Sequence, residues 1–130
     1  MVTDPIADFI TRIKNASDAR KATVSIPYSA LKENIAHTLI KGGYIESVEV
    51  KGRQIGKTLE ITLTYIGKEP RINGVDRISK PSRRMYQKAK DIRMFKSGFG
   101  NIVLSTPKGI FLDIEAKKIK VGGETLFKIW

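Results

Sequence analysis

The feature that narrows the fold most is a change of hydrophobic period near residue 43. Before it, Ile6, Phe9, Ile10 and Ile13 recur at offsets of three, four and seven, and Leu31, Ile35 and Leu39 at offsets of four. Both are single apolar stripes on helices. After it, residues 44–50 and 59–65 alternate apolar with polar side chains, the period of a half-buried strand. A stretch holding both periods must lay helices on a sheet, which defines an α+β lobe.

Local punctuation refines this reading. Asp4-Pro5 offers an N-cap carboxylate and a proline at the first helical position, and places Asp8, Arg12 and Lys14 off the apolar stripe toward solvent. Thr23-Val24-Ser25-Ile26 reads as a strand ended by Pro27. Ser29 is the expected N-cap of the second helix and Gly42-Gly43 its stop. His37 lies near that helix's apolar stripe without an evident acid or second histidine, and reads as a packing or surface residue. Residues 51–57 form a glycine-punctuated hairpin loop whose basic side chains are either a solvated tip, the favoured reading, or a phosphate contact. The sum is an αβαββ lobe over 1–66, with a boundary in the linker-like stretch near 66–72.

Residues 67–130 read as a mostly β lobe with a short helix. Residues 75–79 alternate as a strand until Pro81; 101–104 and 110–112 flank a Ser105-Thr106-Pro107-Lys108-Gly109 loop; 125–130 form a closing strand. Asp113 is expected to cap a helix through Lys120, stopped by Gly122-Gly123.

Charge then limits the function. The chain carries 24 Lys+Arg against 13 Asp+Glu, a net charge of +11. Residues 1–65 contain 9 basic and 7 acidic side chains, and residues 66–130 contain 15 and 6, so the excess rises from +2 to +9. A field segregated in this way attracts polyanions. With 0 Cys and 1 His there is no thiolate zinc site, disulfide or multi-histidine metal centre to build. No apolar run reaches the ~20 residues of a membrane span, and no export leader is evident, so a cytosolic home is expected. Enzyme motifs are missing too: the Gly98-Phe99-Gly100 glycines precede a strand rather than open a helix, and Asp113 and Glu115 read as a cap and an i,i+3 partner of lysines. No cofactor or metal is expected.

RNA binding fits what remains. The densest charge run holds Lys80, Arg83, Arg84, Lys88, Lys90, Arg93 and Lys96 against only Asp91, and within it Arg83, Arg84 and Lys88 surround Tyr86, which either stacks on a base or packs half-buried against the core. Cations attract phosphate with little sequence information, so discrimination falls to the hydroxyls of Ser105 and Thr106 beside Pro107, Lys108 and Gly109. Glu124 either accepts from base amino groups, positions a neighbouring cation, or is an ordinary surface residue. Asp4, Arg12 and Lys14 are candidates for a minor second contact, with helix capping the main role of Asp4.

Several stretches carry a family resemblance. Asp4-Pro5-Ile6-Ala7-Asp8 with Thr11-Arg12-Ile13-Lys14-Asn15 resembles the opening of the eighth small-subunit ribosomal protein family, bacterial type. Ser79-Lys80-Pro81-Ser82-Arg83-Arg84-Met85-Tyr86 resembles its central segment. Gly98-Phe99-Gly100, the loop at 105–109, Glu115-Ala116 and Gly122-Gly123-Glu124 resemble its C-terminal signature. The resemblance implies a cytoplasmic, ribosome-bound protein that binds and orders the central domain of small-subunit rRNA during assembly. It also implies neighbouring small-subunit proteins as partners, the fifth among them, and feedback binding to the messenger of its own operon. The family's base-reading loop maps onto Ser105, Thr106 and Pro107, and its aromatic and acidic positions onto Tyr86 and Glu124. Pro107 departs from the serine common at that place, and Phe111-Leu112 from the usual methionine-threonine. The competing reading is a free-standing RNA-binding regulator or a phosphate-binding enzyme.

Overall fold

The structure, a computed structural model, describes residues 4–53, 55–92 and 100–130. It is α+β and forms two compact units, Ile6–Asn73, and Gly74–Trp130 joined by the opening residues through Pro5.

In the first unit, helix α1 (Pro5–Asp18) buries Ile6, Phe9, Ile10 and Ile13, the stripe expected from their spacing. Strand β1 (Thr23–Pro27) follows, then α2 (Ala30–Lys41), β2 (Ile45–Lys51) and β3 (Thr58–Leu63). The strands form an antiparallel sheet in the order β1-β3-β2. Leu59, Ile61 and Leu63 are all buried on one face of β3, as period-2 alternation requires. Ser29 Oγ accepts from the Lys32 N–H at 3.1 Å and caps α2. That helix ends where Gly43 turns left-handed (φ +78°), with Gly43 N–H on Ile40 O and Tyr44 N–H on Leu39 O, both at 3.0 Å. This is the paired-bond glycine stop that two adjacent glycines suggest.

Three local expectations change. Leu31 is exposed, because it stands in the first turn of α2, and Ala36 and Thr38 complete the buried face with Ile35 and Leu39. His37 is a surface residue that does have an acid beside it: its Nε2 lies 3.4 Å from Glu33 Oε2, one helical turn away. The stretch after β3 is a small hairpin of β4 (Tyr65–Ile66) and β5 (Glu69–Pro70) rather than open linker. On the β2–β3 hairpin, Lys51 Nζ reaches Glu60 at 3.0 Å and Glu49 at 3.9 Å. The hydrogen bond and charge of Glu60 hold the Lys51 pKa above the usual lysine range.

The second unit is organised around β10 (Gly123–Ile129), which lies between β8 (Asn101–Thr106) on one side and two short strands, β6 (Val75–Arg77) and β7 (Tyr86–Gln87), on the other. Strand β9 (Gly109–Leu112) pairs with the outer edge of β8. Helix α3 (Asp113–Lys118) covers the sheet, and Ala116 packs with Ile92 and Leu104 in a small core edged by Ile102, Phe111 and Val121.

Both expected ends of α3 are corrected. Leu112 takes the cap position and Asp113 is already helical, with its buried Oδ1 accepting from Asn101 Nδ2 and the Ile114 N–H at 2.9 Å each. The stop is Lys120, left-handed at φ +60°, with Lys120 N–H on Lys117 O and Val121 N–H on Ala116 O. Gly122 and Gly123 are thereby released for another role.

Candidate nucleic-acid interface

That role is close approach of backbones. A Cβ on Gly122 would stand 2.3 Å from Gln87 O, and one on Gly123 would stand 2.1 Å from Ser105 O. No side chain fits either place, so β7, the start of β10 and the end of β8 can converge only over glycine.

Convergence sets a row across three strands. Tyr86 pairs with Glu124, and Glu124 pairs with Ser105. Directly opposed residues project to one face of a sheet, so a phenol, a carboxylate and a hydroxyl stand side by side. Tyr86 is 71% exposed, which removes the half-buried alternative and presents its ring as a stacking surface. Ser105 is partly exposed, and its hydroxyl has no intramolecular hydrogen bond among the described residues.

Glu124 is paired with a cation. Its side chain is only 17% exposed, and Oε2 accepts from Arg84 Nη1 at 3.1 Å and from the Ser79 hydroxyl. Arg84 belongs to a tight excursion in which Lys80 and Arg83 exchange backbone hydrogen bonds, 3.0 Å each, around Pro81-Ser82. Lys80, Arg83, Arg84 and Lys88 are all exposed. Beside Tyr86 a groove of about 480 Å³ runs between Lys88 and Lys120 over Gln87 and the two glycines. A second, of about 300 Å³, is lined by Arg77, Ile78, Lys80, Arg83 and Met85. Cations along a shallow apolar floor with an exposed aromatic ring are the physical requirements for holding a polyanion with unstacked bases.

The presumed loop at 105–109 is instead a β-hairpin. Ser105 and Thr106 are strand residues paired with Ile110 and Gly109, leaving Pro107-Lys108 as the turn. Thr106 Oγ1 donates to Gly109 O at 2.8 Å and accepts from the Lys108 N–H at 3.1 Å, so its hydroxyl stabilises the turn. Pro107 supplies the negative φ of the first turn residue and Gly109 takes φ +130°. The serine-to-proline departure therefore stiffens a turn whose tip Lys108 is exposed.

The remaining candidates are engaged elsewhere. Asp4 meets Arg77 within the second unit, with Oδ2 to Nε at 3.0 Å and Oδ1 to Nη2 at 3.3 Å. Arg12 pairs with Asp8 at 3.0 Å and Lys14 with Asp18 at 2.5 Å, each one helical turn along α1 in the first unit. Arg93, Lys96, Gly98 and Phe99 lie outside the described residues. Ser79, buried and bonded to both Glu124 and the Met85 N–H, is the polar residue at this surface that pattern reading passed over. The available signal was a serine between a strand and a proline-bearing basic run. Among the described residues, no group of three His, Cys, Asp or Glu could hold a metal ion, and no helix is long and apolar enough to cross a membrane.

Fold and surface together define a small, strongly basic α+β protein in two units, with the exposed Tyr86 ring and the partly exposed Ser105 on the β-rich one. A family model described as Ribosomal protein S8 matches residues 4–130. The chain is 47% identical over 129 residues to small ribosomal subunit protein uS8 of Dictyoglomus thermophilum, covering 99% of this chain and 98% of that protein. It is 48% identical to the same-named protein of Persephonella marina, covering 100% of both, and 49% identical to that of Chlorobium limicola, covering 99% and 98%. The chain belongs to the ribosomal protein S8 family. It is accordingly a structural component of the small ribosomal subunit and not an enzyme.

Proposed function

We propose that the chain is a primary rRNA-binding protein that attaches to the central domain of small-subunit rRNA and orders it during assembly, in the cytoplasm, chiefly through its β-rich C-terminal lobe over residues 67–130. The observation that carries this is the Tyr86–Glu124–Ser105 row flanked by exposed cations. Lys80, Arg83, Arg84, Lys88 and Lys108 supply salt-dependent attraction. Tyr86 stacks, Ser105 reads a base edge or ribose, and Glu124 aims Arg84. Pro107 and Gly109 fix the hairpin from which Ser105 projects, and Thr106 holds its turn. Asp4 anchors the surface through Arg77, while Arg12 and Lys14 add a weaker contact, their charges being shared with carboxylates.

The same surface would take a messenger segment that reproduces the rRNA shape, which is how feedback on its own operon would operate. Neighbouring small-subunit proteins, the fifth among them, adjoin it on the particle. The test is titration of the full chain with a transcript of the small-subunit rRNA central domain and with a shuffled transcript of equal length at near-physiological salt. Preference for the first by at least about 1000-fold is expected of a specific site. Equal affinity for the two transcripts defeats the reading.

A further inference from the structure

Ser79 is a polar residue with 0% exposure, placed just after β6. Its backbone N–H donates to Thr125 O at 3.1 Å, which fastens it to β10. Its hydroxyl proton goes to Glu124 Oε2, and the hydroxyl oxygen accepts from the Met85 N–H at 3.1 Å. The second bond closes the neck of the excursion at 80–84; the first holds a carboxylate oxygen that Arg84 Nη1 also uses at 3.1 Å.

The two ends of this chain of contacts are unequal. Arg84 is 49% exposed and would sample many rotamers alone, whereas Ser79 is immobilised by burial and by hydrogen bonds from both its backbone N–H and its hydroxyl. A carboxylate can hold a guanidinium in one orientation only if the carboxylate is itself held, so geometric control runs from Ser79 through Glu124 to Arg84. A guanidinium oriented by a fixed carboxylate meets phosphate with little loss of freedom, whereas one released over many rotamers does not hold that contact, and the counterion release that goes with it is lost.

We propose that Ser79, which is too deeply buried to touch RNA, is a positioning residue for the phosphate contact of Arg84, acting through the Glu124 carboxylate. The proposal rests on the RNA-binding reading above. A purely structural role would lower stability and thereby affinity, but it would not change the number of counterions released on binding.

The experiment titrates full-length Ser79→Ala, Arg84→Ala and the double variant with the central-domain transcript across a salt series, each well below its measured melting midpoint. Ser79→Ala should weaken binding about five- to tenfold and lower the slope of log affinity against log salt by nearly one, matching Arg84→Ala although it removes no charge. The double variant should bind within about twofold of Arg84→Ala, as expected of residues acting through one contact. Ser79→Cys keeps the volume with only a weak donor, and carries the same expectation if the alanine variant does not fold. An unchanged slope for the Ser79 variants, or losses that multiply in the double variant, overturns the proposal. An Arg84→Ala slope equal to wild type shows instead that Arg84 makes no phosphate contact, and the proposal falls with that part of the reading.

Discussion

Gly123→Ala tests the idea that backbone convergence builds the site. The added Cβ would stand 2.1 Å from Ser105 O, where real contacts begin near 3.0 Å, so β8 and β10 must separate by about 0.9 Å. The obstacle is backbone, and no side-chain rotation relieves it. Overpacking of this kind destabilises by about 1–3 kcal/mol. Gly123 does not have a positive φ, so alanine recovers ~0.4–1 kcal/mol by restricting the unfolded chain. The net is a loss of about 2 kcal/mol if the strands resist, near the upper end because the displaced atoms are in the sheet itself. Trp130, the 1 tryptophan of the chain, shares backbone hydrogen bonds with Gly74 in the same unit and reports its unfolding by fluorescence. Urea denaturation should show a midpoint lower by about 1 M at a slope of ~2 kcal/mol per M. Because the row also widens between Glu124 and Ser105, affinity for the central-domain transcript should fall by at least about tenfold under folded conditions, the loss of roughly one base-edge contact. A midpoint unchanged within experimental error, together with wild-type affinity, would show that the strands part freely and that the glycine is not needed.

Ser105→Ala should lower cognate affinity by about 1–3 kcal/mol while leaving the salt slope unchanged, measured by paired cognate and shuffled-RNA titrations; equal losses on both RNAs would remove Ser105 as the discriminating hydroxyl. Thr106→Val should lower stability by about 1 kcal/mol in urea melts, because its two hydrogen bonds lie within the hairpin turn, with a smaller effect on RNA preference than Ser105→Ala. Asp4→Ala leaves Arg77, whose side chain is 9% exposed, without its carboxylate and should cost about 3 kcal/mol by denaturation. Lys120→Gly should raise the melting temperature slightly, since relief of a left-handed non-glycine residue, ~1–2 kcal/mol, exceeds the ~0.5–1 kcal/mol entropic cost of glycine. The same change removes a groove cation and should weaken RNA binding, reducing its salt slope by up to about one.

What could be read from the chain follows the range over which each feature is determined. The helices and main strands were legible because their period is local: the stripe of Ile6, Phe9, Ile10 and Ile13, and the alternation of Leu59, Ile61 and Leu63, match their observed burial. The Ser29 cap and the Gly42-Gly43 stop were equally local. Asp113 and the second glycine pair misled for the same reason. Both carry standard end-of-helix chemistry, but Asp113 bonds Asn101 on β8, and the glycines answer to Gln87 and Ser105 across the sheet. Cross-strand register cannot be read from the spacing within either strand.

The site shows the same division at the level of single groups. Ser105 and Thr106 are adjacent hydroxyls with the same bonding capacity, so the sequence offers no reason to rank them. The hairpin separates their surroundings by alternation: Thr106 faces its turn and bonds Gly109 O and Lys108 N–H, while Ser105 joins the face of Tyr86 and Glu124 with no intramolecular hydrogen bond among the described residues. The cations divide likewise, since Arg12 and Lys14 lean on acids of their own helix while Lys80, Arg83 and Lys88 stand exposed along one run. Arg84 is the informative exception. Its partner Glu124 removes part of its charge from the field that attracts RNA, yet it fixes the guanidinium beside an aromatic ring and a hydroxyl. A surface needing only affinity would have no use for a carboxylate at that place. On the proposed reading, a surface that must prefer one RNA shape does, because an oriented cation would reward only the phosphate that arrives in register with the stacked and hydrogen-bonded base.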